Sequence, residues 1–245
     1  MRTPFVMLAA ALLAAGACSP FGGAEPANEA AAGPDREAGE LALVSIVRAP
    51  DGSCTVRWDG QPVADSAVQE RAVRVLEALI QQLGGPQNLT TMPKVVLEAP
   101  QDAPYTCFRS PIDQLASAGF AEIALRFAGR GPGADRIIQV PFPSASQPLR
   151  PFATLDLRAD GSVHMDGHPL DPAQLRERLV NTAVAPEDLG LVDGSVLVHV
   201  DPTATFAALH QLVGVAMEGD RQVLVRPRDE AGSPAPVENS QTPAP

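Results

Sequence analysis

Aromatic side chains are scarce in this sequence: they make up 4% of it, with one Trp, one Tyr and eight Phe. The core must therefore be built from Ala, Val, Leu and Ile. Basic residues are also few. Lys and Arg total 18 against 29 Asp and Glu, a formal net charge of −11. A surface this acidic repels phosphate backbones and excludes nucleic acid as a partner. The apolar run Phe5–Ala17 has 13 residues, short of the roughly 20 that a membrane-spanning helix takes. Motifs that carry chemistry are missing too. There is no nucleophile elbow, Rossmann glycine pattern or His-Glu-x-x-His. Gly129-Arg130-Gly131-Pro132-Gly133 lacks the Lys and the strand–helix context of a phosphate loop. No catalytic residue, metal ligand or cofactor is assigned on this basis.

What is present is a globular share of hydrophobic residues, 45%, and much Gly and Pro, 20 and 25 residues. The 245 residues allow one large domain or two small ones, at roughly 100–200 residues per domain. Residues 1–17 read as a secretory signal: a weakly basic start, a short apolar stretch, then Ala15-Gly16-Ala17. Leu13-Ala14-Ala15-Gly16-Ala17-Cys18 resembles a bacterial lipobox, which makes Cys18 the lipidation site. Ala15-x-Ala17 also satisfies an ordinary signal-peptidase site, so export without lipid stays open. Either way the body lies on the periplasmic side. Ser19 after the Cys resembles outer-membrane sorting in enteric bacteria. Residues 18–40 are Ala, Gly, Pro and Glu, too apolar-poor to offset ordering entropy, and read as a tether. Residues 228–245 read as a similar tail. Residues 129–151 read as a Pro/Gly-rich linker in which Arg136–Val140 is a short edge strand.

Two blocks remain, 41–128 and 152–227, and they look alike. Asp51-Gly52-Ser53 and Asp59-Gly60 in the first match Asp160-Gly161-Ser162 and Asp166-Gly167 in the second. These pairs are hairpin turns, since Gly supplies positive φ at no steric cost, so each block opens on two antiparallel strands. A helix follows. In the second block Asp171-Pro172-Ala173-Gln174 is an N-cap, Pro and capping-box signature, with Leu175 and Leu179 on one face. In the first, Asp65 or Ser66 caps a helix marked by Val68, Ala72, Val75, Leu76 and Leu79. Then come a buried strand, Val95–Leu97 or Val196–Val198, and an acidic Pro turn. A second helix runs from Ser110 to Ala118, or Thr205 to Glu218, and ends at Gly119 or Gly219. A last strand closes each block. The expected fold is α+β: two tandem two-layer modules, each strand-strand-helix-strand-helix-strand, with helices on one sheet face.

The run Leu155–Leu170, the helix containing Leu175-Arg176-Glu177-Arg178-Leu179, and Val196-Leu197-Val198-His199-Val200-Asp201-Pro202 resemble the periplasmic domain of the ExbD/TolR family. The first block carries the same pattern more weakly. The family's transmembrane helix with its acidic residue has no counterpart here. The resemblance therefore implies a duplicated, lipid-held periplasmic recognition module without proton chemistry. It implies envelope partners of the TonB/ExbB/Tol type, a non-enzymatic scaffold or binding role, and contact with peptidoglycan as an alternative.

Once Cys18 is set aside, Cys54 and Cys107 form an even pair in an oxidising compartment and are expected to be disulfide-bonded. The absence of Cys-x-x-Cys disfavours a redox role. All four histidines, His164, His168, His199 and His210, fall in the second block. Solvated turn and strand histidines are the expected reading. A small metal-dependent hydrolase built on them is the competing one, with Asp166 at hand.

Overall fold

The computed structural model describes residues 40–90, 93–130, 135–140, 151–182 and 194–228. The signal segment, Cys18, nearly all of the tether and most of the tail lie outside the described residues.

The chain opens with three antiparallel strands, β1 Glu40–Arg48, β2 Cys54–Trp58 and β3 Gln61–Val63. The sequence reading counts two; the segment before the first Asp-Gly turn is a further strand. At the β2–β3 turn Asp59 and Gly60 take φ 50° and 80°. Two successive left-handed residues make the hairpin turn whose twist matches the strands. A 3-10 turn, Asp65–Ala67, leads into α1, Val68–Gln82. Neither Asp65 nor Ser66 caps it through a side chain. Next come β4 Lys94–Ala99, α2 Tyr105–Ser117, β5 Glu122–Phe127 and β6 Arg136–Gln139. Because α2 starts well before Ser110, Cys107 lies in its first turn.

The second half repeats this order. It has β7 Ala153–Leu157, β8 Val163–Met165 and β9 His168–Leu170. Then come α3 Pro172–Arg176, running on as a π turn Glu177–Asn181, β10 Val196–Val200, α4 Phe206–Glu218 and β11 Val223–Pro227. The Asp171 capping box forms as its residues require: the carboxylate accepts from Ala173 and Gln174 N–H, and Gln174 Oε1 accepts from Asp171 N–H.

All eleven strands join one mixed sheet, ordered β3-β2-β1-β4-β5-β6-β11-β10-β7-β8-β9. The fold is mixed α+β. Read inward from either end, the order is the same in both halves. β6 lies between them, antiparallel to β5 and parallel to β11. Arg136–Gln139 is thus not an edge strand. It is the seam of the sheet, and its Ile138 is fully buried.

The halves also meet at their second helices. Tyr105 N–H donates to Ala204 O and Phe206 N–H to Ala103 O, both at 2.8 Å. Thr106 N–H donates to Pro202 O, and Ala207 N–H to Gln101 O. A helix start leaves its first N–H groups without intrahelical partners. Here each half supplies carbonyls to the other's helix, which explains why α2 needs no side-chain cap. Phe108 packs edge-on against Phe206, ring centroids 5.1 Å apart. Both are fully buried, and each contributes about 1.5–3 kcal/mol of transfer free energy. One continuous core spans the halves, drawing on Val44, Leu97, Ile112 and Leu125 from the first and Leu155, Val198, Leu209 and Val225 from the second.

Candidate functional site

Strand alternation puts every second side chain on the sheet face away from this core. In β10, Val196, Val198 and Val200 point to the core, so His199 points outward. Register then places Arg226, His199, Asp156, His164 and Pro169 in one row across β11, β10, β7, β8 and β9. His199 Nδ1 is 3.6 Å from Asp156 Oδ1, and Arg158 Nη2 is 3.6 Å from Asp156 Oδ2. Ser162 Oγ lies 3.1 Å from His164 Nε2. The row is half-exposed at His199, Asp156 and His164 and exposed at Arg226. Arg226 and Asp156 are its one formal cation and one formal acid, and Arg158 stands beside Asp156.

The first half carries the matching row: Arg126, Glu98, Ser45, Arg57 and Pro62 across β5, β4, β1, β2 and β3. Its arginine is engaged differently. Arg126 is 3% exposed. It donates through Nε and Nη2 to Asp135 and through Nη2 to Glu40, at 2.6–2.8 Å. Lys94 Nζ stands 3.7 Å from Asp135 and 3.9 Å from Glu40. Two cations and two carboxylates thus balance. Its hydrogen bonds to these carboxylates, Asp135 first, raise the affinity of Arg126 for its proton above the ordinary arginine value. On this half the arginine is locked into the fold; its counterpart Arg226 is exposed.

The outer edges of the sheet are closed to strand addition. β3 and β9 are three residues each, with Pro62 and Pro169 at their centres. A short strand with no N–H at its middle is a poor template for a further strand.

The remaining sequence-singled residues distribute as follows. Cys54 and Cys107 are disulfide-bonded, their Cα atoms 5.6 Å apart, tying the start of β2 to the first turn of α2. Cys18 lies outside the described residues. His164 and His168 fall on opposite faces of the β8–β9 hairpin, because His164 is opposite Pro169 and Met165 is opposite His168. They cannot chelate one ion together. His210 is neither in a turn nor solvated: it is 8% exposed on α4, its ring 4.2 Å from that of Phe127. Among the described residues no three His, Cys, Asp or Glu side chains group as metal ligands. The neighbourhood of His199 and Asp156 was not legible in the sequence, where the two lie far apart; only the parallel β7–β10 register joins them.

The chain matches no known protein family, no curated protein and no solved structure.

Proposed function

We propose that this chain is an exported, lipid-tethered, non-enzymatic scaffold that docks an envelope protein on the outer face of its sheet. The observation that carries the reading is the Arg226–His199–Asp156–His164 row. It is a polar, partly exposed stripe of imidazole, carboxylate and guanidinium groups, set on rigid strands in a sheet whose edges are blunted. Face docking replaces strand addition as the binding mode. The repeated strand order and turn positions support a duplicated ExbD/TolR-like module, and with it partners of an energy-transducing TonB/Tol-type complex. The lipid on Cys18 holds the body at the periplasmic side of the outer membrane, where headgroup attraction cannot hold a chain of this charge.

Photo-crosslinkers placed at position 199 or 226, and at the exposed Gln87 as control, test this in intact membranes. The expected result is one envelope protein captured from 199 and 226 and not from 87. Equal capture from all three positions, or none, overturns the reading. Mass analysis of the mature N-terminus tests lipidation independently: a diacylglycerol mass on Cys18 is expected, and an unmodified N-terminus refutes the tether.

A further inference from the structure

The two halves share their element order, and the Pro104–Thr205 bridge aligns α2 with α4 at an offset of 101, so their differences are informative. In the first half, the hairpin tip is bonded to the helix by Cys54–Cys107. Ala208 is the counterpart of Cys107, and Val163 that of Cys54, since each strand follows a matched Asp-Gly-Ser turn; the second half has no covalent tie there. The second difference lies between the helices. In the first half Gln114 of α2 reaches α1, its Oε1 accepting from Gln69 N–H at 3.2 Å. Its counterpart on α4 is Val215, which has no group to make that bridge.

Beside these residues lies a cleft of about 320 Å³ between α3, α4 and β8. Its walls are Val163, Leu175, Leu212 and Val215, and its rim carries Arg176 and Gln211. The volume is in the range of small-ligand sites, and the lining mixes apolar side chains with the polar Ser162, Arg176 and Gln211. The Arg176 side chain is 57% exposed. Glu218 Oε2 accepts from its Nε and one Nη2 hydrogen. A guanidinium has five donors in a planar fork, so donors remain for a second carboxylate.

We propose that this cavity binds a small amphipathic carboxylate, with one ring or a short acyl chain against the valine and leucine wall and its carboxylate on Arg176. The site belongs to the second half alone and is separate from the outer-face row, since Val163 and His164 alternate across β8.

The test is titration of the protein with 4-phenylbutyrate, followed by backbone amide shifts. Saturable shifts confined to α3, α4 and β8, with a dissociation constant in the millimolar range, are expected. Ala208→Phe fills the cavity and abolishes them. Gln211→Trp, at an exposed position on the rim, blocks the mouth and does the same should the first variant fail to fold. Arg176→Gln weakens binding about five- to tenfold, as loss of a charge-assisted hydrogen bond does. Absence of saturable shifts, equal binding by Gln211→Trp, or equal binding by the uncharged 4-phenylbutanol would each overturn the proposal.

Discussion

Replacing Gly219 by Ala tests the packing of the second half, because two physical effects oppose each other there. Gly219 follows the last residue of α4 with φ −96° and ψ 17°, which any L-residue adopts. Backbone freedom in the unfolded chain therefore favours Ala, by about 0.4–1 kcal/mol. Space does not. A Cβ at this position would stand 3.0 Å from Leu179 C and from Val180 Cα, and closer still to the Leu179 carbonyl oxygen. Carbon atoms rest about 3.5–4.0 Å apart, so the helix end and the π turn must separate by most of an ångström. The obstacle is backbone. Leu179 is fully buried, and its carbonyl also accepts from Arg221 Nε. Arg221 is itself held over the Phe152 ring at 4.1 Å and donates to Thr182 O. Relaxation would disturb that network. Overpacking of this kind costs about 1–3 kcal/mol, more than the entropic gain, so the variant is destabilised. Urea unfolding followed by far-UV circular dichroism reads it as a lower midpoint. Gly52→Ala is the control, with φ 86° and nothing within 4 Å of a built Cβ; it costs about 1 kcal/mol through backbone conformation alone. A Gly219→Ala midpoint equal to or above that of the parent refutes the steric argument.

Reduction, or Cys54→Ser with Cys107→Ser, is expected to lower stability by up to about 4 kcal/mol, from the closure entropy of a loop with sequence separation 53; a change below about 1 kcal/mol in urea would contradict it. Arg126→Met leaves Glu40 and Asp135 buried with Lys94 alone, and calorimetry should show a loss of about 3–5 kcal/mol. The variant being as stable as the parent would mean the network makes no net contribution. At the exposed turns, hydrogen bonds from the Ser53 and Ser162 hydroxyls, then from their N–H groups, hold the Asp51 and Asp160 carboxyls below the ordinary 3.8. Their stabilisation is present above that pH and is lost as pH falls through the lower folded-state values. Carboxyl-carbon NMR titration should give both midpoints below 3.8; midpoints at or above it rule the turns out as the cause.

Local chemistry alone decided a good part of this fold. The Asp-Gly turns, the Asp171 capping box, the apolar spacing of α1 and the short valine-rich strands each depend on residues within one turn or one strand of each other. Their types were therefore legible in the sequence, though the valine strands and α1 end at other residues than read. The cystine was legible for another reason: two cysteines of the body had no other partners. Only the tertiary structure decided what depends on distant segments meeting. Arg136–Val140 reads as a short edge strand within a linker, because five residues carry no sign of which strands will flank them, yet Arg136–Gln139 becomes the seam of the sheet. Gly219 reads as a left-handed helix stop, but Asp220 takes that conformation with φ 55°, and the glycine is there for the approach of Leu179. His199 reads as a solvated strand residue until the parallel register sets it beside Asp156. The cavity at Arg176 has no local signature at all. It forms where β8, α3 and α4 pack together, and its lining residues are far apart in the sequence.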